Sequence, residues 1–245
     1  RPLAPSMDTC GWFARDAALL ARVGDVLLQG RAATHGFSRL LRADDAFALA
    51  DPGVAAALAP GLASVESLTA TAVPSRVAED DLLVWADRFR VLQGWEVQAT
   101  YGDYLRREQP ALGPGVGERF AWALALTAEE VAPLRPLREA FTARLEALLA
   151  NDGLLALPSM PCIAPARGAP AEAMNAFRRR ALAILCGAGL AGLPQISLPL
   201  GKLDGCPVGG GEGAATIDAD WGEPGLTPAE KIYGWNSFIV LAMLS

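Results

Sequence analysis

The sequence predicts an α/β fold in which helices cover a mixed sheet, and three observations favour this class. Segments with apolar residues at helical spacing alternate with short apolar runs bounded by Pro and Gly, as expected of buried strands. Hydrophobic residues make up 52% of the 245 positions and charged residues 20%, which suits a chain that buries a large core. The apolar runs fall short of the roughly 20 residues that a membrane-spanning helix needs, so we expect a soluble, cytoplasmic protein that does not bind membranes.

The first third of the chain predicts helices and two strands. Apolar residues recur at helical spacing over 16–28, where the first residue is a suitable N-cap and Gly30 a suitable stop. The run 39–42 predicts a short strand, followed by helical segments with Asp51-Pro52 as a cap and first turn. The Thr- and Val-rich run 67–73 predicts a strand that ends before a proline.

The middle of the chain is mostly helical. A long helix is predicted over 79–104, although Gly94 weakens it. A short helix around 119–126 follows a loop rich in Gly and Pro. Thr127-Ala128-Glu129-Glu130 is a capping box, and it starts a helix that Pro133 or Pro136 must kink or restart.

The last third returns to alternating strands and helices before its pattern is lost. An apolar strand is predicted in LLALPSMPCIAP, closing in a proline-rich loop, with a helix over 177–188 and a second buried strand at 195–201. Residues 210–245 are rich in Gly and show little periodicity. We expect them to be loop or a partly disordered tail.

Charge and cysteine usage exclude several classes of protein. The formal net charge is −6 and no dense basic cluster is present, so a nucleic acid is not an expected partner. The four cysteines are widely spaced, without a CxxC pair and with only His35 as an accompanying histidine. This pattern predicts no metal site and no disulfide framework, but free thiols in a reducing compartment.

Three features could carry chemistry, and for each we favour a structural interpretation. A nucleophile system based on histidine would need His35, which lies in a polar stretch after a helix stop. The acidic runs at 44–45, 79–81 and 129–130 could act as general acids or bases, but they stand at predicted helix starts, where acids cap and complement the dipole. The glycines at 209–213 could cradle an anion, but no Lys or Thr follows them.

Five segments resemble the amidase signature family. The stretch PLAPSMDTCGWFARDAALLARVGDVLL is similar to the segment that follows the family's catalytic signature, in a form closest in look to bacterial and plant amidases of the indoleacetamide-hydrolase type. Four later segments follow in the family's order and approximate spacing: LQGWEVQATYGDYL, PALGPGVGERF, LALPSMPCIAP and FRRRALAILCGAGLAGLPQISLPLGKLDGCPVG. The resemblance covers residues 1 to about 209.

This resemblance implies a mechanism whose residues the sequence does not match. Family members cleave carboxamides through a Ser–cis-Ser–Lys triad and an acyl-enzyme, without a metal or cofactor. The family's Lys and both Ser lie upstream of the Pro-Leu-Ala-x-Ser motif. The chain's lysines are Lys202 and Lys231, and Ser6 belongs to the downstream motif. The resemblance therefore assigns no catalytic residue here.

The resemblance implies the domain plan and a substrate-binding segment. Residues 1–209 are expected to be the C-terminal part of an amidase domain of the α/β/α type, and 210–245 a divergent tail. Ligand sites of open α/β sheets gather beyond the carboxyl ends of strands, so the loop after the LLAL strand is the expected lining of the acyl-binding funnel. Its candidate substrate-binding residues are Pro158, Ser159, Met160, Pro161 and Cys162.

The opening motif has its own expected roles. Asp8, Thr9 and Gly11 are turn residues near the same face by family position. Arg15 is expected to pair with a carboxylate or to cap a carbonyl.

Three functional hypotheses remain open from the sequence. The first is a fragment of an amidase, inactive alone, whose partners are a small amide substrate and a missing N-terminal half. The second is a non-catalytic subunit or scaffold that complements a separate chain. The third is an independent hydrolase that uses His35 with a Cys or Ser. A half-sheet with an open edge would also make the isolated chain poorly soluble or oligomeric, and a homo-oligomer is one expected form.

Overall fold

The computed structural model describes residues 2–9, 11–27, 37–113, 115–150, 152–208 and 238–242. Eight helices and seven strands lie in these ranges. The helices are α1 Ala17–Leu27, α2 Asp44–Ala48, α3 Pro52–Glu66, α4 Leu82–Glu108, α5 Val116–Leu124, α6 Ala128–Val131, α7 Leu134–Leu149 and α8 Ala171–Ala191. The strands are β1 Arg39–Ala43, β2 Thr71–Ser75, β3 Gly153–Leu157, β4 Gln195–Leu198, β5 Gly201–Leu203, β6 Cys206–Val208 and β7 Phe238–Ala242.

Five strands form one mixed sheet, which confirms the predicted class. Their order is β2-β1-β3-β7-β4, and β5 and β6 form a separate hairpin. β1 is parallel to β2 and β3, with Leu41 opposite both Val73 and Leu155. β7 is antiparallel to β3 and β4. The carboxyl ends of β1, β2, β3 and β4 therefore meet at one edge of the sheet.

Each face of the sheet packs on its own apolar cluster. Side chains alternate across a strand, so Leu155 and Leu157 of β3 point to the opposite face from Leu154 and Ala156. The first pair packs with α4, α7 and α8, and the second with α3 and the β5–β6 hairpin. All five residues of β3 are buried, so this strand is the centre of a helix–sheet–helix arrangement.

Local sequence explains several helix starts. Asp16 accepts a hydrogen bond from the Leu19 amide (2.7 Å) before α1, and Asp81 accepts one from the Leu83 amide (2.8 Å) at the start of α4. The predicted capping box is confirmed, because Thr127 receives the Glu130 amide and Glu130 reaches back to the Thr127 amide. After the short helix α6 that this capping box starts, the chain restarts as α7 directly behind Pro133.

The bounds of β2 and α8 differ from the predicted ones, because contacts with distant parts of the chain determine where these elements end. β2 runs through Pro74, because an edge strand tolerates a residue without an N–H. α8 begins six positions earlier than predicted and includes Gly189, where a Cβ would lie 3.1 Å from the Phe89 ring. Gly192, with φ +65°, ends it.

Part of the tail forms a strand where loop was expected. β7, at 238–242, lies between β3 and β4. Residues 209–237 lie outside the described residues, and the domain boundary at 209 stays a prediction.

Candidate functional site

The loop that follows β3 lies at the edge where four strands end. Pro158, Ser159 and Pro161 are buried in this loop, and Met160 and Cys162 are half-buried. A loop at the carboxyl ends of parallel strands is the usual place of a ligand site in an open α/β sheet. The predicted substrate-binding residues thus occupy a suitable position, although their role stays a prediction.

Arg180 of α8 fixes the backbone of this loop. Its guanidinium donates to the Leu49 carbonyl (2.7 and 2.9 Å), to Asp51 Oδ1 (2.5 Å) and to the Pro161 carbonyl (3.3 Å). The Asp51 amide donates to the same Pro161 carbonyl at 2.7 Å. Three segments that are distant in sequence therefore meet on one side chain, a constraint that the sequence pattern could not reveal.

Ser159 is a buried hydroxyl without a partner among the described residues. The residue is 5% exposed, and its Oγ accepts and donates no hydrogen bond there. Such a group costs about 1–3 kcal/mol unless a partner is supplied. A bound molecule with a carbonyl or amide group is one such partner.

Cys162 does not have the character of an activated nucleophile. Burial, followed by the negative charge of Asp51, raises the pKa of its thiol, and the nearby Arg180 only partly offsets this. The reactive form of a cysteine is the thiolate, so Cys162 stays a weak nucleophile near neutral pH. This site therefore gives no support to the hypothesis of an independent hydrolase with Cys162 as its nucleophile.

The paired acids make structural contacts, but only some of them cap helices as expected: Glu130 completes a capping box, whereas Asp45 and Asp80 bind elsewhere. Asp45 receives the amides of Val77 and Ala78 at 3.0 Å each, which ties the end of β1 to the segment after β2. Asp80 accepts from the Trp85 indole and pairs with Arg88 (2.8 Å).

The opening motif is held by a second polar cluster. The Ser6 hydroxyl and amide both donate to Glu96, and Arg138 donates to the Ser6 hydroxyl (2.7 Å) and carbonyl (3.0 Å). Asp8 accepts from the amides of Leu3 and Ala4, which forms the expected turn. Ser6 is thus engaged in anchoring its own segment.

An open cavity of about 720 Å³ adjoins this cluster. It is lined by residues of α4, α6, α7 and α8 together with Ser6, and it shares no residue with the loop after β3. Sequence analysis missed it, because its lining comes from four helices that only the tertiary fold brings together. Arg15 lies elsewhere and pairs with Asp16 at 3.3 Å, the carboxylate alternative of the prediction.

Metal and membrane features are not found in the described ranges. No group of three His, Cys, Asp or Glu side chains could hold a metal ion there. None of the helices there is long and apolar enough to cross a bilayer. His35 and the glycines at 209–213 lie outside the described residues.

Comparison with curated proteins relates the chain to amidases. It is 31% identical to Amidase 1 of Arabidopsis thaliana over 92% of the chain and 59% of that protein. It is 30% identical to the chloroplastic Outer envelope protein 64 of the same plant over 84% of the chain and 40% of that protein. The chain therefore spans well under two thirds of the length of these relatives. No protein-family profile matches it.

Solved structures share the fold. A crystal structure of an amidase superposes with a TM-score of 0.72 at 19% identity, over 98% of this chain and 50% of that one. A bacterial aryl acylamidase of the amidase signature family superposes with a TM-score of 0.56 at 11% identity, over 86% and 41%. At these identities the likeness establishes the architecture alone.

Proposed function

Because this chain is related to amidases and has the fold and sequence resemblance of the amidase signature family, we propose that it forms part of an enzyme that hydrolyses a small carboxamide. The products are a carboxylate and ammonia. The observation that carries the proposal is the 31% identity with Amidase 1 over nearly the whole chain.

The proposed chemistry divides between this chain and a catalytic segment. A serine oxygen attacks the amide carbon, ammonia leaves as the C–N bond breaks and its nitrogen takes up a proton, and water then hydrolyses the acyl-serine ester. We assign that serine, and the lysine that activates it, to residues upstream of Arg1. The chain's own lysines, Lys202 and Lys231, stand in segments that do not match the family's catalytic motif.

The role proposed for the described part is to bind the acyl group. Pro158, Met160, Pro161 and Cys162 supply an apolar and partly buried wall, and Ser159 supplies a hydroxyl that needs a partner. Arg180 and Asp51 hold the wall in place by its backbone. A small aryl or alkyl amide fits such a surface best, because apolar walls with few polar groups bind apolar substituents.

A second candidate function is that of a non-catalytic subunit or scaffold. Outer envelope protein 64 carries a name that describes a location and no reaction, and it is nearly as similar to this chain as Amidase 1 is. In that case the chain keeps the amidase fold but takes no part in amide hydrolysis.

The test is ammonia release from a panel of aryl and alkyl amides, including indole-3-acetamide. The purified 245-residue chain is expected to release none, and a mixture with the part of Arabidopsis Amidase 1 that lacks a counterpart here is expected to release ammonia. Met160→Ala should then change the ranking of aryl over alkyl amides, whereas Ser64→Ala, on the exposed side of α3, should not. An inactive mixture that forms a stable complex would favour the scaffold.

Turnover by the chain alone would contradict the proposed division of labour. His35→Ala then decides whether the independent hydrolase is correct. That hypothesis fails if activity survives the substitution.

A further inference from the structure

Ser159 is a polar residue buried in the loop after β3, and it makes no hydrogen bond within the described ranges. The residue is 5% exposed, and its Oγ has neither a donor nor an acceptor in reach there. Two half-buried hydroxyls elsewhere in the fold are satisfied: Ser38 donates to Asp152, and Thr69 donates to the Glu66 carbonyl at 3.0 Å. Nearly all buried polar atoms of folded proteins have a partner, so an exception needs a physical explanation.

The backbone of the loop is held in place on both sides of this residue. Pro158 and Pro161 flank it, and each proline ring restricts its own φ to a narrow range. The Pro161 carbonyl accepts from the Asp51 amide at 2.7 Å and from the Arg180 guanidinium at 3.3 Å. Rotation about the Cα–Cβ bond of Ser159 still moves Oγ among the staggered rotamers while the backbone stays fixed. The hydroxyl can therefore turn towards a bound molecule, whereas the loop is not free to rearrange around it.

An unsatisfied hydroxyl at this position weakens the fold. Alanine would occupy the same place with no polar atom to satisfy. A residue that lowers stability in this way can persist where it serves binding, because a ligand that completes the hydrogen bond removes the penalty. An ordered water is the other group that could complete it, and the stability of a Ser159→Ala variant distinguishes the two.

The neighbours of Ser159 make its hydroxyl selective. Pro158 and Pro161 are buried and Met160 and Cys162 are half-buried, so the residues beside it offer mainly apolar surface. A hydrogen bond is stronger in surroundings of this kind than in water. A molecule that is apolar throughout leaves the hydroxyl unpaired, whereas a molecule with one polar group in reach pairs it. Sites built in this way discriminate strongly against the analogue that lacks the polar group.

We infer that Ser159 is a specificity-determining residue, and that the preferred amides carry one hydroxyl or N–H group on an otherwise apolar acyl group to hydrogen-bond its Oγ. The inference rests on the proposed function, because it takes from it the assignment of this loop to acyl binding. It goes further by naming the residue that selects the acyl group and the chemical class that it selects.

The first experiment measures stability in the full chain without any ligand. Ser159→Ala is compared with wild type and with Ser38→Ala, which removes a hydroxyl that is hydrogen-bonded. We expect the urea midpoint of Ser159→Ala to equal or exceed that of wild type and the midpoint of Ser38→Ala to fall. A fall for Ser159→Ala as large as that for Ser38→Ala would show that the hydroxyl already has a partner, such as an ordered water, and would overturn the inference.

The second experiment measures binding by the full chain with ligand-observed NMR. The probes are phenylacetamide and its 2-, 3- and 4-hydroxy derivatives, which place one hydroxyl at different points of the same apolar ring. We expect at least one hydroxy derivative to bind wild type about tenfold more tightly than phenylacetamide does, and Ser159→Ala to abolish that preference. Ser64→Ala, on the exposed side of α3, should keep it.

Three binding results would contradict the inference. They are equal affinity of wild type for all the probes, a preference that survives Ser159→Ala, and absence of binding by every probe.

Failure of the inference and failure of the proposed function give different results. Binding that depends on the Ser159 hydroxyl, without ammonia release in the mixture with the Amidase 1 segment, supports the inference and contradicts the proposed catalysis. Ammonia release from that mixture, with a ranking of these amides that Ser159→Ala leaves unchanged, supports the proposed catalysis and contradicts the inference.

Discussion

Asp45 joins α2, the helix that follows β1, to the segment that follows β2 through a single carboxylate. Its two oxygens receive separate backbone amides from Val77 and Ala78, just beyond the end of β2. The neighbouring Asp44 instead pairs with Arg42 at the surface, at 2.7 Å and with both side chains nearly half exposed. Two adjacent acids at one helix start therefore differ in how much they stabilise the fold.

We predict that Asp45→Asn lowers the free energy of unfolding by about 1.5–3 kcal/mol, the usual worth of a hydrogen bond to a charged group. The substitution replaces one acceptor oxygen by an NH₂ group that faces an amide donor. The measurement is a urea unfolding curve at neutral pH.

Asp44→Asn is the control for that change. An exposed ion pair contributes about 0.2–1 kcal/mol, so this variant should unfold close to wild type. If both variants lost the same free energy of unfolding, the hydrogen bonds from Val77 and Ala78 to Asp45 would contribute no more than the surface ion pair of Asp44.

At the level of elements, α4 and α5 pack through a glycine. A Cβ at Gly94 would lie 2.9 Å from both Leu126 Cδ1 and Trp122 Cζ3, so the helices approach closely at this point. The sequence indicated Gly94 only as a weakness of a long helix. The structure shows that it is required for packing.

We predict opposite effects for two Gly→Ala substitutions in these helices. Gly94→Ala should cost about 1–3 kcal/mol, because the new methyl group overpacks against two side chains. Gly117→Ala, where the nearest atom is 3.7 Å away, should be neutral or stabilise by up to about 1 kcal/mol through helix propensity. Thermal unfolding of both variants checks this, and stabilisation by both would show that the α4–α5 contact adapts freely.

The elements that sequence analysis predicted best are those specified by neighbours in sequence. The Thr127 capping box and the Asp16 cap both depend on residues within one helical turn, and both are confirmed. The insertion of β7 between β3 and β4 could not be predicted, because the pairing depends on residues far apart in the chain. The apolar residues that form β7 carried no signal of which strands it would pair with.

For the molecule as a whole, the alternation of helices and apolar strands was sufficient to predict the layered fold. The candidate site was predicted only in part. The position of 158–162 beyond a strand end follows from general rules, whereas its support by Arg180 and Asp51 joins three segments that no local pattern connects. The cavity beside Ser6 was missed for the same reason.

The labelling rates of two cysteines should distinguish local opening from global unfolding. Cys186 lies in the main core at 2% exposure, and burial raises the pKa of its thiol to about 12. We predict that iodoacetamide at pH 8 modifies Cys186 only as fast as the whole molecule unfolds, because both access and ionisation require it. Cys162, half-buried in a loop, should react earlier.

Peptide mass spectrometry across a urea series measures both rates. The rate for Cys186 should follow the global unfolding curve, whereas Cys162 should already be labelled at urea concentrations below that transition. Rapid labelling of Cys186 in native buffer would mean that α8 detaches locally from the sheet.

The way Arg180 holds the loop after β3 bears on how such a site can change over evolutionary time. Arg180 donates hydrogen bonds to backbone carbonyl oxygens, which every amino acid provides, and to the carboxylate of Asp51, which lies outside the loop. The Met160 side chain makes none of these hydrogen bonds, so mutation can exchange it while the path of the main chain persists. Under the proposed function, single replacements in this loop would change the preferred amide with little loss of foldability.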